Sequence, residues 1–135
     1  MKVYIQTLAM IFILAGIFSC TDERKTLFNE VMDIHDTCMP EMSTLNRIKR
    51  NIRKAEISEE NPLKSKSFQI IEQIEAADEG MMTWMRDFKV PKKSDPNSEV
   101  IPYLKAEKVK IQKVSDDMYR AIKVGNKFLS EIENK

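Results

Sequence analysis

Apolar residues recur at steps of three and four along three long stretches, and this spacing constrains the fold more than any other feature of the chain. Lys49 is the one break in the first stretch, which otherwise comprises Phe28, Val31, His35, Cys38, Met42, Leu45 and Ile52. Such a repeat places its members on one face of an α-helix. The chain also has only three Gly in 135 residues, few for a strand-rich domain. The sequence therefore predicts an all-α protein.

Two further helices follow the first. Asn61 is a good N-cap and Pro62 a good first helical residue for the second helix. Its apolar face comprises Ile70, Ile71, Ile74, Ala77, Met81, Met85 and Phe88. The third helix is predicted to be capped near Ser98 or to begin at Pro102. Its seam comprises Leu104, Ile111, Val114, Met118, Ala121, Gly125, Phe128 and Ile132.

Short connections between long helices favour antiparallel neighbours. We therefore predict an up-down-up antiparallel three-helix bundle, coiled-coil-like, over residues 26–134. Pro40 lies inside the first helix and lacks a backbone donor. Because the apolar seam keeps its register across Pro40, we expect a kink there rather than a break. Because such a bundle has a thin core, formation of a homodimer through an exposed apolar stripe is left as an open alternative.

The N-terminus carries the features of a bacterial lipoprotein signal peptide. Met1 and Lys2 make a short positive start, and the apolar stretch from Leu8 to Phe18 is too short to span a bilayer, which takes roughly 20 residues. Ser19 directly before Cys20 resembles a lipobox. The sequence thus predicts a signal peptide over residues 1–19, Cys20 as the site of lipid attachment (a fatty acid such as palmitate), and a lipid-anchored tether over residues 20–25.

Two alternatives to lipidation remain open, namely an ordinary cleaved signal with a chance Cys20 and an uncleaved anchor. The lipoprotein interpretation predicts a location in the cell envelope, anchored to the outer membrane and facing the periplasm or the surface. The whole chain has 22 Lys and Arg against 21 Asp and Glu. A mixed, nearly neutral surface argues against nucleic acid as a partner, which needs a basic face.

A sulfur-rich cluster is the one candidate for chemistry. Reflection of the chain through its two loops places Trp84 and Tyr103 at the same level as His35 and Cys38 of the first helix. Gly80 falls level with Met39 and, without a side chain, could allow a close approach of the two backbones. Thioether, thiolate and imidazole ligands suit Cu(I) and Ag(I). The candidate metal ligands are His35, Cys38, Met39, Met81 and Met85. Met also fills irregular helical cores without any ligand, and that packing interpretation is the simpler one.

Other interpretations of these residues are weaker. His35 with a Met is also a conceivable haem ligand pair, although no C-x-x-C-H attachment motif is present. Cys38 and His35 lie three residues apart on one helix, but no orienting group or oxyanion loop accompanies them, so we predict no enzyme. Asp78 could pair with Lys49 or His35, or lie at the edge of the apolar face. The lysines of the second loop could touch anionic headgroups or be simply solvated.

Two segments resemble a known group of proteins. The segment Val31-Met32-Asp33-Ile34-His35-Asp36-Thr37-Cys38-Met39-Pro40-Glu41-Met42 and the segment Ala76-Ala77-Asp78-Glu79-Gly80-Met81-Met82-Thr83-Trp84-Met85-Arg86-Asp87-Phe88 resemble small Bacteroidota lipoproteins that carry the name viral A-type inclusion protein. The resemblance covers most of the mature chain, and its most specific part is the Met-Met-x-Trp-Met run. It implies a helical lipoprotein and no established activity.

The sequence therefore predicts a non-enzymatic, membrane-anchored envelope lipoprotein that acts as a helical interaction or scaffold module, with a protein partner or a second copy of itself. The alternative is a Cu(I)- or Ag(I)-binding lipoprotein that uses the Met/His/Cys cluster. A resident cofactor is expected only in that alternative.

Overall fold

A computed structural model describes residues 23–134, which are almost entirely helical. The helical segments in this range are α1 (residues 23–38), α2 (Glu41–Lys54), α3 (Leu63–Asp87) and α4 (Asn97–Glu133). α1 and α2 follow one another almost without interruption, and α2, α3 and α4 all pack against each other. The predicted all-α helical bundle is confirmed. The predicted signal peptide and Cys20 lie outside the described residues.

Pro40 separates α1 from α2. The last helical bond of α1 joins the Met39 N–H to the His35 carbonyl at 2.8 Å, and the Met42 N–H then bonds to the Met39 carbonyl at 3.2 Å. Pro40 itself has right-handed helical dihedral angles, φ −61° and ψ −24°. The helix is therefore interrupted over residues 39 and 40, where the missing Pro40 N–H removes a helical hydrogen bond, and the expectation of a kink within one continuous helix is wrong. The apolar seam resumes beyond it at Leu45, which is fully buried.

The other two helices begin close to where the sequence predicts. The Asn61 side-chain oxygen accepts a hydrogen bond from the Leu63 N–H at 2.9 Å, as an N-cap does. α4 begins at Asn97, directly after the extended Pro96, so the start predicted near Ser98 is right and the alternative start at Pro102 is wrong. The extra first turn forms because it buries Val100 against Leu27 and Leu104.

The core follows the predicted seams with one notable change. Most seam residues are buried, and the largest fully buried side chains of the described residues are Phe128, Leu45, Ile48, Ile74, Met81, Leu104, Ile111, Met118, Val31 and Cys38. Ile48 is not among the residues of the predicted seam, which passes through Lys49 instead. Lys49 is only partly exposed and pairs with Glu75 at 3.5 Å. The apolar seam of the first stretch is therefore continuous through Ile48.

Gly125 lets α4 approach α2 and α3 closely. A Cβ atom placed on Gly125 would lie 2.5 Å from Ile48 Cγ2 and 3.4 Å from Ile74 Cδ1, so α2, α3 and α4 meet tightly there. The sequence suggested Gly80 for such a close approach. A Cβ atom on Gly80 would meet nothing within 4 Å, so that expectation is wrong.

Contacts between helices define two ends of the bundle. At the first, which we call the Arg24 end, Arg24 of α1 bonds to the connection between α3 and α4. At the second, the Phe68 end, α2 stops, α3 begins, and Lys66 pairs with Glu131 near the end of α4. α4 spans 37 residues, or about 55 Å at 1.5 Å per residue. Among the helices described here, none has the length and apolar character to cross a membrane.

Candidate functional site

A row of four aromatic rings crosses the bundle near the Arg24 end. The His35 and Trp84 ring centroids lie 5.5 Å apart, Trp84 stacks on Phe88 at 4.7 Å, and Phe88 stacks on Tyr103 at 6.1 Å. The Tyr103 hydroxyl accepts a hydrogen bond from the Lys89 N–H at 2.8 Å. The predicted placement of His35 at the level of Trp84 is confirmed, whereas Tyr103 lies level with Phe88, one helical turn beyond Trp84.

Cys38 is fully buried and its thiol is turned toward its own helix. The Cys38 Sγ lies 3.6 Å from the His35 carbonyl oxygen, to which the thiol donates. Burial raises the pKa of the Cys38 thiol, and hydrogen bonding to the Ser115 side chain offsets part of the effect. Metals bind the thiolate, so a raised pKa makes Cys38 a poorer metal ligand and a poorer nucleophile near neutral pH.

His35 lies at the edge of the aromatic row. Its Nδ1 lies 2.8 Å from Asp36 Oδ1, and its side chain is mostly covered. The Asp36 carboxylate and the Trp84 ring together fix the plane of the imidazole. The ring is thus held by two neighbours, and the Cys38 thiol bonds to the backbone of His35 rather than to the imidazole. This arrangement does not form the thiol–imidazole pair that a cysteine nucleophile needs.

The predicted methionine ligands occupy different surroundings. Met81 is fully buried, Met85 is partly buried against the same core cluster as Met81 and Cys38, and Met39 is 38% exposed. Met39 lies in the interruption between α1 and α2, outside the regular helical face that carries Cys38 inward. Cys38 and Met81 therefore lie in the main hydrophobic core and Met85 packs against that core, whereas Met39 lies at the surface. No group of three or more His, Cys, Asp or Glu side chains in residues 23–134 is placed to hold a metal ion.

Two buried polar atoms near this level have no hydrogen-bond partner in the described part of the chain. They are Trp84 Nε1 and Asp78 Oδ1. The suggested partners of Asp78 are engaged elsewhere, because Lys49 pairs with Glu75 and His35 with Asp36. Of the alternatives for Asp78, the structure favours a position at the edge of the apolar face.

Glu107 is a buried carboxylate that the sequence did not reveal as buried. It lies on the inner face of α4 and pairs with Lys110 at 2.7 Å. The Glu107 carboxylate raises the pKa of the Lys110 ammonium through this hydrogen bond. The Lys110 ammonium stays in water, and its positive charge neutralises the Glu107 carboxylate, which lies among the buried residues of α4.

Arg24 holds the connection between α3 and α4 against α1. Its guanidinium donates to the carbonyl of Asp95 at 3.0 Å, to the side-chain oxygen of Asn97 at 3.3 Å and to the carbonyl of Lys92 at 2.6 Å. Residues 23–25, which the sequence placed in the tether, therefore belong to α1. The apolar pair Leu27-Phe28 just after them is the one signal that the helix extends this far toward the N-terminus.

A cavity of about 350 Å³ opens beside Arg24. Its walls are apolar with a basic rim, and its lining residues are Arg24, Lys25, Phe28, Val90, Pro91, Lys93 and Leu104. A second cavity of about 240 Å³ lies on the other side of Val90 and Pro91 and reaches Tyr103. Val90 itself is 66% exposed. The Arg24 end thus presents an apolar ridge among lysines.

The Phe68 end carries a different apolar surface. Phe68 is 58% exposed, and the Lys64 ammonium lies 5.3 Å from the centre of its ring. Ile57 and Ile71 flank Phe68, and a small cavity of about 140 Å³ lies between them. We call Ile57, Phe68 and Ile71 the Phe68 patch. A large aromatic ring kept in water at a loop–helix junction is a feature of surfaces that contact other proteins.

Comparisons with known proteins give no further guide to this site, since no protein family, curated protein or solved structure matches the chain.

Proposed function

We propose that this protein is a non-enzymatic envelope lipoprotein, anchored to the outer membrane through Cys20 and acting as a helical interaction module. The observation that carries the proposal is the exposed Phe68 patch. It lies at the opposite end of an elongated bundle from the start of α1, where the chain joins the predicted anchor. A module held at one end by lipid can present the other end to a partner well away from the bilayer.

The proposed bundle is the up-down-up arrangement expected from the short loops. Three sets of contacts support it. α1 and α4 pair through Glu30 and Lys108, α2 meets Gly125 further along α4 through Ile48, and α3 meets α4 in the reverse order. Phe88 lies against Tyr103, and Lys66 against Glu131. In this arrangement α4 runs away from the anchored end and separates the Phe68 patch from it by tens of ångströms.

The binding energy of the proposed interface resides mainly in Phe68. Interfaces derive most of their affinity from a few buried aromatic or arginine side chains. Lys64 already holds the neighbouring loop, because its ammonium bonds to the Ile57 carbonyl at 3.1 Å and pairs with Glu59 at 2.9 Å. The patch is therefore preorganised, which lowers the entropy cost of binding.

Photo-crosslinking in intact cells tests the proposal. A photoreactive phenylalanine analogue at position 68 is expected to trap a defined partner, or a second copy of the chain, in the envelope fraction. The same analogue at Tyr119, an exposed aromatic residue on α4, serves as the matched control and is expected to trap nothing specific. Equal crosslinking at both positions, or none at position 68, would contradict the interaction role.

A Cu(I)- or Ag(I)-binding lipoprotein remains the second candidate, and the observation in its favour is that Cys38 and Met81 lie in the same hydrophobic core against which Met85 packs. Anaerobic titration of the purified protein with Cu(I) against a colorimetric chelator tests it. The raised pKa of the Cys38 thiol leads us to expect that the chelator keeps the metal. Uptake of one equivalent that Met81→Leu with Met85→Leu abolishes would establish the metal site and displace the interaction proposal.

A further inference from the structure

We infer that the Arg24 end, with its ridge of Val90 and Pro91 and its surrounding lysines, docks onto an anionic phospholipid surface. The inference rests on the proposed anchoring at Cys20 and adds an orientation, in which the bundle stands on this end with the ridge at the headgroups. The occupant of the Arg24-end cavity is then the lipid surface itself.

Covalent geometry keeps the ridge close to the anchor. The residues before the described chain join it at Glu23, in the first turn of α1, and the next two residues, Arg24 and Lys25, line the cavity. Three residue steps separate Cys20 from Glu23. A fully extended chain spans at most about 3.5 Å per residue, so a lipid on Cys20 lies within roughly 10 Å of the start of α1. The Arg24 end therefore cannot move far from the bilayer.

The lysines of this end are free to meet lipid phosphates. Within residues 23–134, no carboxylate pairs with Lys25, Lys89, Lys92 or Lys93. Glu23 pairs with Lys105 at 2.7 Å, and the acids that line the cavity beyond Val90 and Pro91 are Asp95 and Glu99. The five cations of this end, Arg24 with the four lysines, outnumber those two acids, so the apolar ridge keeps an excess of positive charge. That excess matches the negative headgroups and adjoining acyl region of an anionic membrane.

Arg24 gives the ridge a fixed position. Its three hydrogen bonds to residues 92–97 hold the connection against α1, so Val90 projects from a rigid base rather than from a free loop. Val90 is 66% exposed, and its burial among headgroups removes that apolar surface from water. Each lysine near an anionic surface strengthens docking by about fivefold at ordinary salt.

Depth-dependent quenching in vesicles tests the inference on the full chain. Val90→Cys and, as the matched control, Val109→Cys are made in a Cys38→Ala background and labelled with a nitrobenzoxadiazole probe. Val109 is 71% exposed and lies 12 residues into α4, about 18 Å from its start. The signal from any label on Cys20 is measured on the parent without an added cysteine and subtracted.

In vesicles that contain phosphatidylglycerol and nitroxide-labelled lipid, we expect strong quenching of the Val90 probe and little quenching of the Val109 probe. Lys92→Gln with Lys93→Gln should weaken docking by roughly 30-fold, while the same change at Lys123 and Lys127, toward the Phe68 end, should leave it unaltered. Equal quenching of the two probes, quenching in pure phosphatidylcholine that is just as strong, or shielding of Val90 only in native envelopes and never in pure lipid would overturn the inference.

Flotation and intact mass separate this outcome from a failure of anchoring. A chain that floats with vesicles and carries lipid on Cys20, but whose Val90 probe is not quenched, is anchored without docking. A chain whose Cys20 is not acylated, but whose Val90 probe is quenched in anionic vesicles alone, docks without the proposed lipid.

Discussion

Gly125 and Gly80 are both mid-helix glycines, and the structure predicts opposite outcomes when each is changed to Ala. Replacing a helical Gly by Ala stabilises the helix by about 1 kcal/mol. At Gly80 the new methyl group meets nothing within 4 Å, so the full gain is expected. At Gly125 it would lie 2.5 Å from Ile48 Cγ2, well inside contact distance.

The clash at Gly125 is not easily relieved. Ile48 is β-branched, and such side chains have one strongly preferred χ1 rotamer in a helix, so its Cγ2 cannot swing away without moving α2. Overpacking of this kind costs about 1–3 kcal/mol. After the helix gain is subtracted, Gly125→Ala should lower the free energy of unfolding by up to about 2 kcal/mol, whereas Gly80→Ala should raise it by about 1 kcal/mol.

Urea unfolding followed by helical circular dichroism measures both values. In thermal melts, where 1 kcal/mol shifts the Tm by roughly 4 °C for a domain of this size, the Tm values of the two variants should differ by about 4–12 °C. In an Ile48→Ala background, Gly125→Ala should become stabilising, because the obstructing methyl group is gone. A Gly125→Ala variant as stable as Gly80→Ala in the original background would refute the close packing of α2 on α4.

Three further predictions follow from particular contacts. Glu56 has a φ of 45° just after α2, where glycine is the usual residue. Glu56→Gly should therefore raise the free energy of unfolding by about 1 kcal/mol, while Glu59→Gly in the same connection should not, and thermal melts of the two variants test this difference. Arg24→Ala removes three hydrogen bonds, so it should lower the free energy of unfolding by about 1–2 kcal/mol and speed amide hydrogen exchange over residues 92–97. Arg24→Lys, which lacks the planar guanidinium, should restore little of either effect. Unchanged exchange in Arg24→Ala would contradict the role of Arg24. Burial raises the pKa of the Cys38 thiol in the folded state, so the unfolded chain releases this proton first as pH rises; stability should therefore decline above about the ordinary thiol pKa of 9.0, and this decline should be absent in Cys38→Ala.

The helical seams were predictable because burial on a helix repeats every 3.6 residues. The predicted seams of α3 and α4 are buried or half-buried throughout. The predicted first seam passes through Lys49 rather than Ile48. Between Leu45 and Ile52, steps of four then three residues pass through Lys49 and steps of three then four pass through Ile48, so both fit the helical period. A lysine can lie half-buried with its charged end outside, so the letter pattern alone does not decide between them.

The contacts of Arg24 were beyond the sequence pattern. They join residues about 70 positions apart and depend on backbone carbonyls, which carry no residue identity. The candidate metal cluster was only partly predictable for a different reason. Reflection through loops locates residues by level along the bundle, which correctly placed His35 beside Trp84, but it does not say which way a side chain points. Met39 lies at the right level and faces outward.

Intact mass spectrometry of the protein purified from the envelope fraction tests the proposed lipid anchor at Cys20 most directly. We expect a chain that begins at Cys20 and carries the mass of attached fatty acyl groups, and a Cys20→Ser variant that retains residues 1–19 and carries no such mass. A protein with an unmodified Cys20 thiol, or one whose chain begins elsewhere, would contradict the proposed anchor.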